Sequence, residues 1–183
     1  MTKSAKFLFK LILVFLILAA ILLAGISLIY RLFPVKYYDS IIKYCSKFDT
    51  DEALVLSLIK AESNFNENAL SNAGAKGLMQ LTDDTFAFCK KHCGLSSDAD
   101  ILNAEDNICA GIWYLSFLLK RYNGNTKNAV AAYNAGLVTV DKWLTSEKYS
   151  SDNKTLNVVP YGETHRHIKK IMKYKKIYAF LYY

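Results

Sequence analysis

Twenty residues from Glu62 to Leu81 bring together the groups of this chain most able to do chemistry. A carboxylate, Glu62, closes an apolar run, and a loop carrying Asn64, Asn66, Asn68, Ser71, Asn72, Gly74 and Gly77 follows at once. A carboxylic acid in that place can donate a proton, and the amides and hydroxyls beside it suit a polyhydroxylated ligand. The glycines allow positive φ or a close backbone approach. Leu78-Met79-Gln80-Leu81 then returns to apolar character, with Gln80 a lone amide among hydrophobes. An amide so placed can read an N-acetyl group or a ring hydroxyl.

The element that must position Glu62 is a helix. Asp49 and Glu52 are spaced as a capping box. Ala53 to Ala61 is a strong helix former, and counting back from Glu62 by three, four and seven gives Ile59, Leu58 and Val55. Glu62 therefore shares the inward face. A carboxyl group there loses hydration, which favours its protonated form, and the negative end of the helix dipole acts in the same direction. The plainer alternative is a structural carboxylate, on the surface or satisfied by loop amides. A polar turn explains the loop but not its extent, and it leaves Gln80 unexplained.

On these residues the resemblance to a family is plain. The segment from Ala61 to Thr85 resembles the catalytic signature of the soluble lytic transglycosylases, the goose-lysozyme-like enzymes that cleave peptidoglycan. Ala131-Ala132-Tyr133-Asn134-Ala135-Gly136 is similar to a second element, and Glu163-Thr164 to a third, weaker one. The resemblance implies an all-α, lysozyme-like fold with a saccharide groove and no cofactor. It makes Glu62 the general acid and then the base. Ser71, Gln80, Tyr133 and Asn134 would line the groove, with Glu163 supporting it from the last helix. The sequence departs from the family pattern at Glu67 and Asn72, where proline is common, and at Asp83-Asp84, which replaces Met-Pro. His167 stands where a tyrosine often follows the Glu-Thr pair.

Most glycosidases use two carboxylates. Here Glu67 and the Asp83-Asp84 pair lie in polar stretches, so Glu62 has no obvious second acid. One acid suffices if the substrate's N-acetyl carbonyl stabilises the developing cation. The resemblance implies cleavage of the β-1,4 bond between MurNAc and GlcNAc, with closure of a 1,6-anhydro ring. Plain hydrolysis by a goose-type lysozyme-like site, or an inactive peptidoglycan-binding scaffold, are the competing readings.

Leu11 to Tyr30 is a run of twenty uncharged, mostly apolar residues. As a helix it matches the roughly 30 Å hydrocarbon layer of a bilayer. Lys3, Lys6 and Lys10 precede it, which predicts a short cytoplasmic N-terminus and an outward-facing remainder. A cleaved signal peptide is the alternative, but its apolar core is ordinarily shorter and ends in a small-residue site. The expected organisation is an anchor over residues 1–33 and one helical catalytic domain over 34–183. Within it, a helix from about Asn103 to Tyr122 buries Ile108, Ile112, Leu115, Leu119 and Tyr122. Thr126 caps the next helix, and Gly136 ends it. A basic amphipathic helix runs from Gly162, with Ile168, Ile171, Met172 and Tyr178 inward. A short hairpin at Thr155 to Val159 stays open.

The net charge is +7. Arg166, Lys169, Lys170, Lys173, Lys175 and Lys176 crowd the last helix with only Glu163 as a local acid. Such a face is a solvated surface or attracts wall polymers, anionic lipid or other cell-envelope proteins. The anchor and its orientation argue against nucleic acid. Cys45, Cys89, Cys93 and Cys109 would lie in a disulfide-permissive compartment, but their connectivity is not readable. Near Cys89 and Cys93 only His92 is available, without finger spacing, so no metal is expected. Trp113 and Trp143 could stack sugars, though packing is the safer reading.

Overall fold

The computed structural model describes residues 3–183; Met1 and Thr2, the start of the expected cytoplasmic segment, lie outside the described residues. Among the described residues there are eight helices and no strand: α1 (Lys3–Leu32), α2 (Tyr38–Phe48), α3 (Glu52–Glu62), α4 (Asp83–Cys93), α5 (Ala104–Arg121), α6 (Thr126–Ala135), α7 (Leu137–Leu144) and α8 (Gly162–Tyr182). The class is all-α, as expected. The chain divides into two units, one reaching Val35 and the other Lys36–Tyr183.

The first unit is α1. From Ser4 to Leu32 it is 29 residues long, with a mean hydropathy of 3.1 over its apolar window and none of that window buried. Phe15, Leu22 and Leu23 are among its exposed side chains. A continuous apolar surface of this size is unfavourable in water, and its length and composition fit a membrane-associated helix.

In the second unit α5 packs against α2, α4 and α6. Its side chains follow the 3.6-residue period: Ile108, Ile112, Leu115 and Tyr122 are buried and Leu119 is half-buried. Asn103 caps the helix by accepting from the amides of Glu105 and Asp106. Seven consecutive positions of α3, Ala53 to Ile59, are buried, because α2 packs on it from one side and α8 from another.

The start of α3 differs from the expected capping box. Asp51, not Asp49, is the cap, accepting from the Leu54 amide at 2.7 Å. Asp49 ends α2 instead, in the left-handed region at φ 53. Two helices meet within three residues here, so one acid terminates the first and another caps the second. At α6 the cap is likewise Asn125 rather than Thr126; its side chain accepts from the Asn128 amide. Gly136 does end that helix, at φ 87.

Helix α8 buries Ile168, Ile171 and Tyr178 against α3 and α6, with Met172 half-buried. Its basic face is not limited to Glu163 for acidic company. Lys175 lies 3.2 Å from Asp51, and Lys170 donates to the Ala61 carbonyl at 2.8 Å. The partners come from α3, which sequence proximity could not show. No hairpin forms at Thr155 to Val159. Buried Asn128 holds that segment as a loop, donating to the Lys154 carbonyl at 2.7 Å and accepting from the Leu156 amide at 3.2 Å.

Trp113 is half-buried and packed among aromatic rings. His92 stacks on it at 5.4 Å and 10°, and Phe117 at 5.5 Å and 12°. Trp143 is buried and meets Tyr161 edge-on at 4.9 Å. All four cysteines are buried free thiols. Burial pushes Cys45 and Cys89 up to about 12. A hydrogen bond between Cys93 and Cys109 pulls the first thiol down and pushes the second up.

Asp51 carries two jobs of unequal weight: a helix cap, and an ion pair with partly exposed Lys175. Asp51→Ala is expected to lower stability by about 1 kcal/mol, the ordinary worth of a cap. Lys175→Ala should cost less, since such pairs contribute roughly 0–1 kcal/mol. Urea unfolding of the two variants and of the double variant measures both.

Candidate functional site

Glu62 is the last residue of α3. The chain then reverses through two consecutive left-handed residues, Asn64 at φ 53 and Phe65 at φ 61. Left-handed backbone costs roughly 1–2 kcal/mol at a non-glycine residue. Phe65 is only 3% exposed, and burying such a ring contributes about 1.5–3 kcal/mol, which offsets much of the cost of the two residues. The helix therefore stops at Glu62 and leaves its side chain at the edge of the α3–α8 contact. That side chain is 15% exposed.

What faces it is His167 of α8, itself 12% exposed, with Nε2 at 3.1 Å from Glu62 Oε1. Nε2 is sealed from solvent and has no hydrogen-bond partner. A buried polar atom left in this state ordinarily costs about 1–3 kcal/mol.

Tyr133, on the last turn of α6, is the third member of this cluster. Its hydroxyl is pushed well up, first by burial and then by the nearby Glu62 charge. It is thus a neutral donor throughout the physiological range, and it donates to the Met79 carbonyl at 2.8 Å. Its ring leans on Tyr114 at 5.4 Å.

The loop between α3 and α4 is shaped by its own backbone. Ser71 accepts from the Ala75 amide through Oγ at 3.0 Å, and its backbone amide donates to the Ala75 carbonyl at 2.9 Å. Bridges pair Lys76 with Leu70 and with Leu81. Ser71 is exposed on this turn. Gln80, in the left-handed region at φ 49, spends Nε2 on the carbonyls of Ala69 at 3.0 Å and Gly77 at 2.9 Å. The carbonyl end of its amide is what remains to meet a ligand.

Beneath the loop lies a residue that sequence reading missed. Asn107 of α5 is fully buried. It accepts from the Met79 amide at 2.8 Å and donates to the carbonyls of Lys76 at 3.1 Å and Ile101 at 2.8 Å. Gly77 is obligatory above it, at φ 77, where an added Cβ would sit 2.3 Å from Asn107 Nδ2. Further along α5, Gly111 makes room in the same way, since its Cβ would fall 2.7 Å from Met79 Cβ. The available signal was an asparagine and a glycine in an otherwise apolar helical stripe.

Asn134 and Glu163 separate in role. Asn134 is exposed, yet its Oδ1 accepts from the buried Thr164 hydroxyl at 2.7 Å, tying the end of α6 to the start of α8. Glu163 stands exposed in the first turn of α8. The structure thus gathers Glu62, Tyr133 and His167, links Tyr133 to the Gln80 loop through Met79, and leaves Ser71 and Glu163 at the periphery. A cavity of about 570 Å³ lined by residues including Arg121, Tyr122, Asp141 and Lys154 lies at the opposite end of α6 and takes in none of them.

Comparison with known proteins places the chain in a family. Residues 39–156 match the Transglycosylase SLT domain, and the chain belongs to that family. It is 30% identical over 152 residues to the soluble lytic murein transglycosylase of Escherichia coli K12, covering 81% of this chain and 24% of that protein. It is 29% identical over 171 residues to membrane-bound lytic murein transglycosylase C of Yersinia pestis, covering 78% of this chain and 46% of the relative. Among solved structures, it is similar to the 70-kDa soluble lytic transglycosylase of E. coli at a TM-score of 0.73 and 25% identity, covering 83% of this chain and 25% of that one. An inactive Glu-to-Gln mutant of lytic transglycosylase Slt from Pseudomonas aeruginosa gives 0.71 and 26%, covering 81% and 24%. The chain thus spans about a quarter of the soluble relatives and under half of the membrane-bound one.

Asn107→Leu is expected to strand the Met79 amide and two carbonyls away from water, at about 1–3 kcal/mol for each group that finds no substitute. Thermal unfolding should show the loss, while the far-UV spectrum of the surviving folded fraction stays helical.

Proposed function

We propose that this chain is a peptidoglycan lytic transglycosylase with Glu62 as its single general acid and base. The observation that carries the reading is the seclusion of Glu62 where α3, α6 and α8 converge. The acids that flank the loop or open α8, namely Glu67, Asp83, Asp84 and Glu163, are all exposed. Glu67 accepts from Tyr37, and Asp83 pairs with Lys76 at 2.7 Å. They are engaged at the surface, which supports a mechanism using one protein carboxyl.

Glu62 protonates the oxygen of the β-1,4 bond between MurNAc and GlcNAc, and the bonding electrons leave with that oxygen. The substrate's N-acetyl carbonyl stabilises the cation at the anomeric carbon. Glu62, now a carboxylate, takes the proton of the MurNAc C6 hydroxyl, whose oxygen closes the 1,6-anhydro ring. Ser71, Gln80, Tyr133 and Asn134 form the wall of the glycan groove: Gln80 offers its carbonyl, and Tyr133 fixes the loop from below. Glu163 lies at the groove's α8 end.

Residues 1–33 anchor the enzyme as a single membrane pass, and residues 34–183 form the catalytic domain. The lysines preceding the apolar run support an extracytoplasmic domain facing the wall. Peptidoglycan glycan strands are its partner.

The test is mass spectrometry of fragments released from purified peptidoglycan by the full chain in detergent, with Glu62→Gln alongside. Anhydro ends, lighter than hydrolysed ends by one water, are expected. Glu62→Gln should lower their yield by at least about a hundredfold, the minimum ordinarily lost with a general acid. Reducing ends would assign a hydrolase instead. No products at all from folded chain would refute the enzymatic reading.

A further inference from the structure

The imidazole of His167 is a buried polar group that no step above uses. Its Nε2 is sealed from solvent, lacks a hydrogen-bond partner and lies 3.1 Å from Glu62 Oε1. Buried donors are ordinarily partnered, so an orphan aimed at a reactive carboxyl has a purpose there. The separation already falls within the 2.7–3.2 Å typical of N–H···O bonds, although no hydrogen bond is made in this geometry. Such contacts commonly align when a ligand is bound.

We propose that His167 is the positioning residue of Glu62: its Nε2–H holds Oε1, so that Oε2 is the oxygen that exchanges protons with the glycan. This rests on the transglycosylase reading of Glu62 and deepens it. Before reaction the hydrogen bond fixes the carboxyl rotamer, with the acidic proton on Oε2. Once that proton has passed to the glycosidic oxygen, the same N–H stabilises the negative charge on Oε1. Oε2 then recovers a proton from the C6 hydroxyl. The imidazole keeps its own proton throughout.

The pair sits among side chains of three helices. Glu62 and Lys60 come from α3, Tyr133 from α6, and Lys170 follows His167 on α8, its ammonium held on the Ala61 carbonyl. Lys60 is pushed down by burial and then by Lys170. Tyr133 is pushed well up and stays neutral. Glu62 is therefore the acid that meets the imidazole.

His167→Phe keeps a ring but no donor. It is expected to lower kcat by about ten- to a hundredfold, with KM within about twofold, the signature of a misplaced reacting group. His167→Gln restores an N–H and should recover most of kcat. A folded His167→Phe with parental kcat would overturn the proposal. Nitrogen NMR of histidine-labelled full chain at one fixed pH provides the arm that needs no turnover, with His92 and His165 as internal references. The His167 ring should carry its proton on Nε2; a ring protonated on Nδ1 alone would also overturn the proposal. If the parent chain released no glycan fragments, the transglycosylase reading would fail, while the tautomer would still decide whether Nε2 can hold Oε1.

Discussion

The structure around the site depends on one residue. The loop from Asn64 to Thr82 has almost no regular secondary structure, so its backbone groups need individual partners. Met79 is where that need is met from two sides: α5 supplies Asn107 to its N–H, and α6 supplies Tyr133 to its carbonyl. Gly111 leaves the space that lets Met79 sit against α5. With both sides of Met79 fixed, the inner part of the loop is fixed, and Gln80 beside it follows.

The second constraint is the convergence of three helices on Glu62. Helix α8 packs on both α3 and α6, and it joins the latter through Thr164 and Asn134. Tyr133 therefore does two things with one side chain. Its hydroxyl secures the loop, and its half-buried ring leans on Tyr114 beside the carboxyl. A neutral phenol serves there better than an ionisable neighbour, because it adds no charge beside the acid.

Much of this was legible in the sequence, for physical reasons. The boundaries of α5, the end of α6 at Gly136 and the inward stripe of α8 follow from periodicity and glycine chemistry, which are local. Glu62 at the end of an apolar helix was legible for the same reason. The caps were less so, because Asp49 and Asp51, or Asn125 and Thr126, are chemically similar acceptors one or two residues apart. Choosing between them requires knowing where the preceding turn ends. Asn107 and His167 were out of reach, since their partners lie 28 and 105 positions away, at Met79 and Glu62. His167 registered in the sequence only as a departure from a pattern. In space it flanks the buried stripe through Thr164, Ile168 and Ile171, the position from which a polar side chain reaches a neighbouring helix.

The order of the helices along the chain has a temporal meaning. Glu62 belongs to the first third or so of the sequence, whereas α8, which shields it, is made after every element it packs against. During synthesis the carboxyl therefore emerges in open, hydrated surroundings and is enclosed only when α8 docks. A chain that stalls or is cut before Gly162 would carry the acid without its enclosure. Synthesis of the last helix and assembly of the site are thereby the same event.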